Sequence, residues 1–153
     1  SLEWRWIKAL PRMVACQPMG ANSLEVSLKA ESRVVVELPP FESVAKSVSE
    51  SVASDKALRA IRDSGGTAVS ATDAEIEQSV RMLGKEGLNV EAGSALTVAC
   101  LARMRDALQL SSDAPLVCVL TASGIRWPEQ ARWVTPRHDR VGSLDELRNL
   151  LEG

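Results

Sequence analysis

Two groups of polar and small residues lie where a fold can do chemistry. The first is Thr121-Ala122-Ser123-Gly124, directly after the apolar run Pro115–Leu120. In open α/β sheets, ligands sit outside the carboxyl ends of the strands. A hydroxyl there can donate to or accept from a bound molecule. Thr121 is therefore near the middle of any ligand site, with Ser123 and Gly124 shaping either a pocket or only a turn. The plain alternative for Thr121 is a residue that ends a strand. The second group is Glu91 followed by Ala92-Gly93-Ser94-Ala95. These small residues allow close backbone approach or tight packing of a helix on a sheet. Glu91 is also a favourable anion at a helix N-terminus, and Ser94 is suited to N-capping. Other chemistry finds little support. There are no paired carboxylates. His138 lies in the polar stretch Pro136–Arg140 without a clear Ser or Cys partner, which argues against a triad. Cys16, Cys100 and Cys118 have neither a CxxC nor a metal-ligand spacing, so no metal site is expected and all three read as reduced core residues. Gly65-Gly66 is a helix stop, too short to cradle a phosphate.

The elements that must position these residues follow from periodicity. Ala92–Ala102 is almost entirely apolar or small, which predicts a helix buried all round. Pro115–Leu120 predicts a parallel strand covered on both faces. Upstream, Trp4–Leu10 is a weakly amphipathic lead-in ended by Pro11, and Met13–Cys16 is a strand. Ala21–Ala30 is a helix, and Arg33–Leu38 is a strand because β-branched residues cluster there. The spacing of Val44, Val48 and Val52 predicts a helix over Glu42–Ser51. Ser54-Asp55 caps a helix over Lys56–Asp63 with Leu58 and Ile61 inward, and Thr67–Ala71 is a short strand. Thr72-Asp73-Ala74-Glu75 is a capping box. Its helix carries Ile76, Val80 and Leu83 on one face and a Glu77–Arg81 pair on the other. Trp133–Thr135 reads as a short strand. Ser143–Glu146 is a second capping box, opening a helix with Leu144, Leu147, Leu150 and Leu151 inward. Strand and helix alternate, which predicts an α/β fold: three αβα layers around a mainly parallel sheet, as a single domain over residues 1–153.

Bulk composition narrows the function class. A chain of 153 residues can bury one real core. A net charge of −2 and a pI near 5.5 give no reason to expect nucleic acid or a membrane surface as partner. No apolar run reaches membrane-spanning length, and cysteine usage suits a cytoplasmic protein. Ser1-Leu2 and Glu152-Gly153 look like cloning scars, so the chain is expected to be a cut piece of a longer protein.

The same residues carry a resemblance. Glu91-Ala92-Gly93-Ser94-Ala95, an apolar strand, and Leu120-Thr121-Ala122-Ser123-Gly124-Ile125-Arg126 resemble the EPASA…LTGxGLKDP pattern near the C-terminus of threonine synthases. These are fold-type-II pyridoxal-phosphate (PLP) enzymes of the tryptophan synthase β superfamily. Pro11–Gln17 resembles the family's PRxVAVQ strand, and KALRAIRDSGG with VSATDAEI is again its wording. Ala92, Ala122, Arg126 and Trp127 depart from the pattern's Pro, Gly, Lys and Asp.

The resemblance implies the C-terminal half of such an enzyme, a partial PLP-enzyme large domain. The intact protein would be a lyase converting O-phosphohomoserine and water to threonine and phosphate. Alternatives are a threonine/serine dehydratase or ammonia-lyase of the same superfamily, or a non-catalytic α/β ligand-binding or subunit-interaction domain. By resemblance, the Thr121 hydroxyl bonds the pyridine nitrogen of PLP, Glu91 sits beside the ring, and Ser123 and Gly124 complete the cofactor-binding set. No catalytic residue is assigned. The family's Schiff-base lysine comes from an early motif, and Lys8, Lys29, Lys46, Lys56 and Lys85 fall in segments that do not match it. The chain alone is thus expected to be inactive, to hold no PLP, to meet its amino-acid substrate only through the missing half, and to form a homodimer.

Overall fold

The computed structural model describes residues 7–134 and 141–152. Strand β1 (Val14–Pro18) and helix α1 (Ser23–Lys29) come first, then helix α2 (Asp55–Asp63), strand β2 (Thr67–Ala71) and helix α3 (Asp73–Lys85). Helices α4 (Ala92–Ala99) and α5 (Leu101–Ala107) follow, and α6 (Leu144–Glu152) closes the chain. The two strands pair in parallel, Val14 with Thr67 through Pro18 with Ala71. Alternation along them builds the layers. Val14, Cys16, Val69 and Ala71 face a core made with Ile76, Val80, Leu83, Ala92, Ala95, Leu96, Cys100 and Met104. Ala15 and Ala68 face a smaller core with Leu24, Leu58 and Ile61. Helices thus cover both faces of a parallel pair, as the strand–helix alternation predicts.

The capped helices form where expected. The Ser54 hydroxyl accepts from the Lys56 N–H at 3.1 Å and opens α2, whose Leu58 and Ile61 are buried. At α3 both halves of the capping box are present, and Ile76, Val80 and Leu83 are buried. Glu77 and Arg81 pair at 3.2 Å. Between α2 and β2 the chain is pinched. A Cβ on Gly66 would run into the Met13 carbonyl, so only glycine lets β2 start beside β1.

Several expectations are corrected. The first strand lies further along than Met13–Cys16, ending at Pro18. Arg33–Leu38 belongs to no sheet, and it begins with a bend at Arg33-Val34. Its N–H groups are met otherwise: Val35 by the Asp55 carboxylate at 2.7 Å, Val36 by the Ser27 hydroxyl at 2.8 Å, and Leu38 by the Ser51 carbonyl at 2.8 Å. Glu42–Ser51 forms only a 3₁₀ turn over Lys46–Val48. Ser43 Oγ takes the Ala45 N–H at 3.1 Å and itself donates to Asp73, which is how serines compete with helical bonding. Val48 and Val52 are left exposed.

The helix expected over Ala92–Ala102 breaks at Cys100, and Ala102 is exposed, so it is not buried all round. Pro115–Leu120 joins no strand either. Its side chains alternate: Leu116, Cys118 and Leu120 are half-buried, whereas Val117 is 83% and Val119 62% exposed. The period of two is right, but one face is bare. Trp133 ends a 3₁₀ turn (Pro128–Trp133) instead of starting a strand, and Thr135 lies outside the described residues. The second capping box is half-formed. Ser143 Oγ accepts from the Glu146 N–H at 3.2 Å, but the Glu146 carboxylate takes the Gly142 N–H at 2.6 Å. Leu144 and Leu147 of α6 are exposed, not inward. Ile7–Leu10 is not helical, and Trp4, Trp6 and His138 lie outside the described residues.

Candidate functional site

The two groups of residues singled out in the sequence meet in space. Helix α4 starts directly after Glu91, whose extended backbone caps it. The segment before it runs antiparallel to the one after Leu120. Val90 bridges Ser123, the Glu91 N–H donates to the Ala122 carbonyl at 3.2 Å, and the Gly124 N–H donates to the Asn89 carbonyl at 3.1 Å. A Cβ on Gly124 would meet the exposed Asn89 side chain, which would have to turn aside.

Ser94 pins the junction. It is not the cap; it sits inside the first turn of α4, buried. Its hydroxyl accepts from the Ala122 N–H at 3.0 Å and lies 3.3 Å from the Ala122 carbonyl and 3.4 Å from the Thr121 hydroxyl. A hydroxyl has one proton and two lone pairs, so Ser94 can donate to the Ala122 carbonyl while accepting from the Ala122 N–H and the Thr121 hydroxyl. Thr121 itself is exposed. Its hydroxyl therefore keeps bonding capacity toward solvent.

Glu91 is 3% exposed, and both carboxylate oxygens have protein partners. Oε1 accepts from the Ser47 hydroxyl at 3.0 Å, and Oε2 accepts from the Trp127 indole N–H at 3.0 Å. The Arg126 guanidinium stands 3.9 Å from Oε2 and is otherwise solvated. A buried carboxylate needs such partners. They tie the 3₁₀ turn at Lys46–Val48 to the end of α4 and to the chain after Thr121. Gln130, also buried, completes the tie. Its amide accepts from the Ala92 N–H at 3.0 Å and donates to the Val44 carbonyl at 3.0 Å. Lys46 lies 4.8 Å over the Trp127 ring and pairs with Glu129 at 2.9 Å. That hydrogen bond holds the exposed Glu129 carboxyl below its ordinary range. Ser123 accepts from the Ile125 N–H at 3.3 Å and so caps the turn Gly124–Arg126.

All four residues picked from sequence thus fall in one locality. Sequence reasoning missed Ser47, Trp127 and Gln130. Only the substitution of Trp127 for the family's Asp marked any of them. Among the described residues no group of three or more His, Cys, Asp and Glu converges on a metal position.

Comparison with known proteins gives the context. Residues 2–122 match the model of the family described as "Pyridoxal-phosphate dependent enzyme". The chain is 34% identical over 149 residues to the threonine synthase of Methanosarcina acetivorans, covering 95% of this chain and 37% of that one. It is 31% identical over 128 residues to the threonine synthase of Methanocaldococcus jannaschii, covering 82% and 32%. It therefore spans about a third of the length of these relatives. In fold it is similar to an L-serine ammonia-lyase from Rhizomucor miehei, with TM-score 0.62, 24% identity, and 86% of this chain and 43% of that one covered. A similar match is the serine racemase of maize, with TM-score 0.59, 20% identity and 79% and 38% coverage. The family match extends over most of the chain, up to the pair of hydroxyls at Ser94 and Thr121, and the chain belongs to the pyridoxal-phosphate-dependent enzymes.

Proposed function

We propose that this chain is the C-terminal part of a cytoplasmic threonine synthase-like enzyme. In the longer protein it would help convert O-phosphohomoserine and water to threonine and phosphate. The observation that carries this reading is the similarity to threonine synthases at 31–34% identity, which includes the stretch holding Glu91, Ser94 and Thr121.

The residues present fit one end of the family's cofactor, PLP. Thr121 offers an exposed hydroxyl at a fixed place, supported from behind by Ser94 at 3.4 Å. It would hold the pyridine nitrogen. Bound there, PLP supplies an electron sink, weaker against a neutral hydroxyl than against a carboxylate, which suits elimination and replacement at the β or γ carbon. Ser94 orients the Thr121 hydroxyl by filling one of its bonding directions. Glu91 fixes the start of α4 through Trp127 and Ser47, and Ser123 and Gly124 form the turn that bounds the position. The phosphate cradle, the cofactor-bearing lysine and the substrate contacts would come from the rest of the longer protein. One hydroxyl contributes about 0.5–1.5 kcal/mol net, so the chain alone would not retain the cofactor.

The test is to express the full reading frame and measure phosphate release from O-phosphohomoserine beside ammonia release from serine and threonine. We expect phosphate release to dominate. Dominant ammonia release would replace this reading with a dehydratase or ammonia-lyase, and neither activity would favour a non-catalytic domain. Thr121→Ala should loosen cofactor retention by up to about tenfold, the equivalent of one lost hydrogen bond. Wild-type retention in that variant would remove Thr121 from the cofactor site.

A further inference from the structure

Helix α2 packs on the opposite face of the β1–β2 pair from α4, the helix that carries Ser94. There α2 and the bend at Arg33-Val34 enclose a cleft of about 220 Å³. Asp55, Arg59, Arg62 and Asp63 line it from α2. They stand at i, i+4, i+7 and i+8, which puts them on one side of the helix, while Leu58 and Ile61 turn the other side into the smaller core. Arg33 and Val34 form the facing wall. That wall is tied to α2 at both ends. The Arg62 guanidinium donates to the Ser32 carbonyl, and the Asp55 carboxylate accepts from the Val35 N–H at 2.7 Å. The Ser32 hydroxyl donates to the Val34 carbonyl at 2.7 Å and tightens the bend between them. The cleft thus has a fixed frame, but its charges lack partners. Among the described residues every ion pair lies elsewhere. Arg59 has Asp55 one turn before it and Asp63 one turn after, the spacing of helical ion pairs, and pairs with neither.

We propose that this cleft binds a free acidic α-amino acid, aspartate or glutamate. The lining carries three guanidiniums against two carboxylates, one positive charge in excess. Its complement is a molecule with one negative charge in excess that also carries a cation. An acidic α-amino acid has two carboxylates and one ammonium. Guanidiniums take carboxylates through paired N–H donors. Arg33 and Arg59 are unpaired, and Arg62 keeps donors beyond the one given to Ser32. Asp55 already holds the Val35 N–H, so Asp63 is the acceptor left for the ammonium. A plain dianion would bring negative charge up to Asp63 with no cation between them. A neutral amino acid would leave part of the guanidinium charge unanswered. Val34, 59% exposed, gives the ligand's methylenes an apolar wall. The volume is below the range of about 300–1,000 Å³ that holds drug-sized molecules, and suits a free amino acid. Binding makes and breaks no covalent bond and moves no proton.

The test is calorimetric titration of the chain with L-glutamate and L-aspartate at low ionic strength, where surface charges are least screened. We expect saturable binding of at least one of them, with a Kd of about 1 mM or below. Glutarate lacks the ammonium and alanine lacks the second carboxylate, so each should bind about tenfold more weakly than the better amino acid. Arg59→Gln, at an exposed helical position that glutamine suits, should weaken that amino acid at least tenfold. Asp63→Asn should weaken it about tenfold and leave glutarate binding no weaker. Circular dichroism should show both variants folded, since neither side chain is buried. No saturable binding of either amino acid overturns the site, as does wild-type affinity in Arg59→Gln. Glutarate or inorganic phosphate binding as tightly as the amino acid would show a plain anion patch and overturns it too, as would an Asp63→Asn variant that discriminates against glutarate as wild type does.

Discussion

At the scale of single residues, Glu91 is the side chain with most at stake. It is buried, and among the described residues the Trp127 indole is the sole N–H bonded to its Oε2 within hydrogen-bond range. Trp127→Phe keeps an aromatic side chain, though a smaller one, and removes that donor. We expect a loss of about 1.5–3 kcal/mol, the range for hydrogen bonds to charged groups, read as a lower urea midpoint with unchanged slope. A shift under 0.5 kcal/mol would mean that Arg126 takes over the carboxylate. Thr121, Glu91, Ser123 and Gly124 were legible because each lies in a short local motif. Their partners were not. Ser47 is 44 residues from Glu91 and Trp127 is 36 away, and no local pattern announces such contacts.

At the scale of elements, caps made the helices readable. The Glu75 carboxylate accepts from the Thr72 N–H at 2.7 Å and the Thr72 hydroxyl at 2.8 Å. These bonds, the backbone one first, hold its pKa below the ordinary 4.5. A carboxylate whose pKa is lowered by folding stabilises the fold above its unfolded value and stops doing so as pH falls through the folded one. Glu75→Ala should therefore lower the thermal midpoint at pH 7, by the equivalent of roughly 1 kcal/mol. The gap to wild type should narrow as pH drops below 4.5. A gap that is constant down to pH 2 would show that the charge plays no part. Strands were less readable for a physical reason: a strand is completed by its neighbour. Arg33–Leu38 and Pro115–Leu120 have strand-like composition, yet among the described residues only β1 and β2 find each other. The valine spacing over Glu42–Ser51 likewise lost to serine hydroxyls that bond the backbone locally.

At the scale of the whole molecule, the three layers are built around a pair of strands, and an apolar strip beside them is left open. Val117, Val119 and Ile125, the last 77% exposed, line the chain on either side of Thr121. Each large apolar side chain left wet forgoes about 1.5–3 kcal/mol of burial, and extended backbone without a partner templates another chain. We expect the chain on its own to self-associate, most simply as a two-fold dimer. Light scattering over a dilution series checks this. A monomer at high concentration that binds no hydrophobic dye would show the strip to be tolerated. The pairing of β1 with β2 has a consequence in time. A ribosome adding about 5–20 residues per second needs several seconds to pass from Val14 to Ala71. During that interval β1 has no β2 to pair with, and Cys16 has neither Cys100 nor Met104 beside it. Of the two strands, β1 is made first and must wait for its partner to be translated.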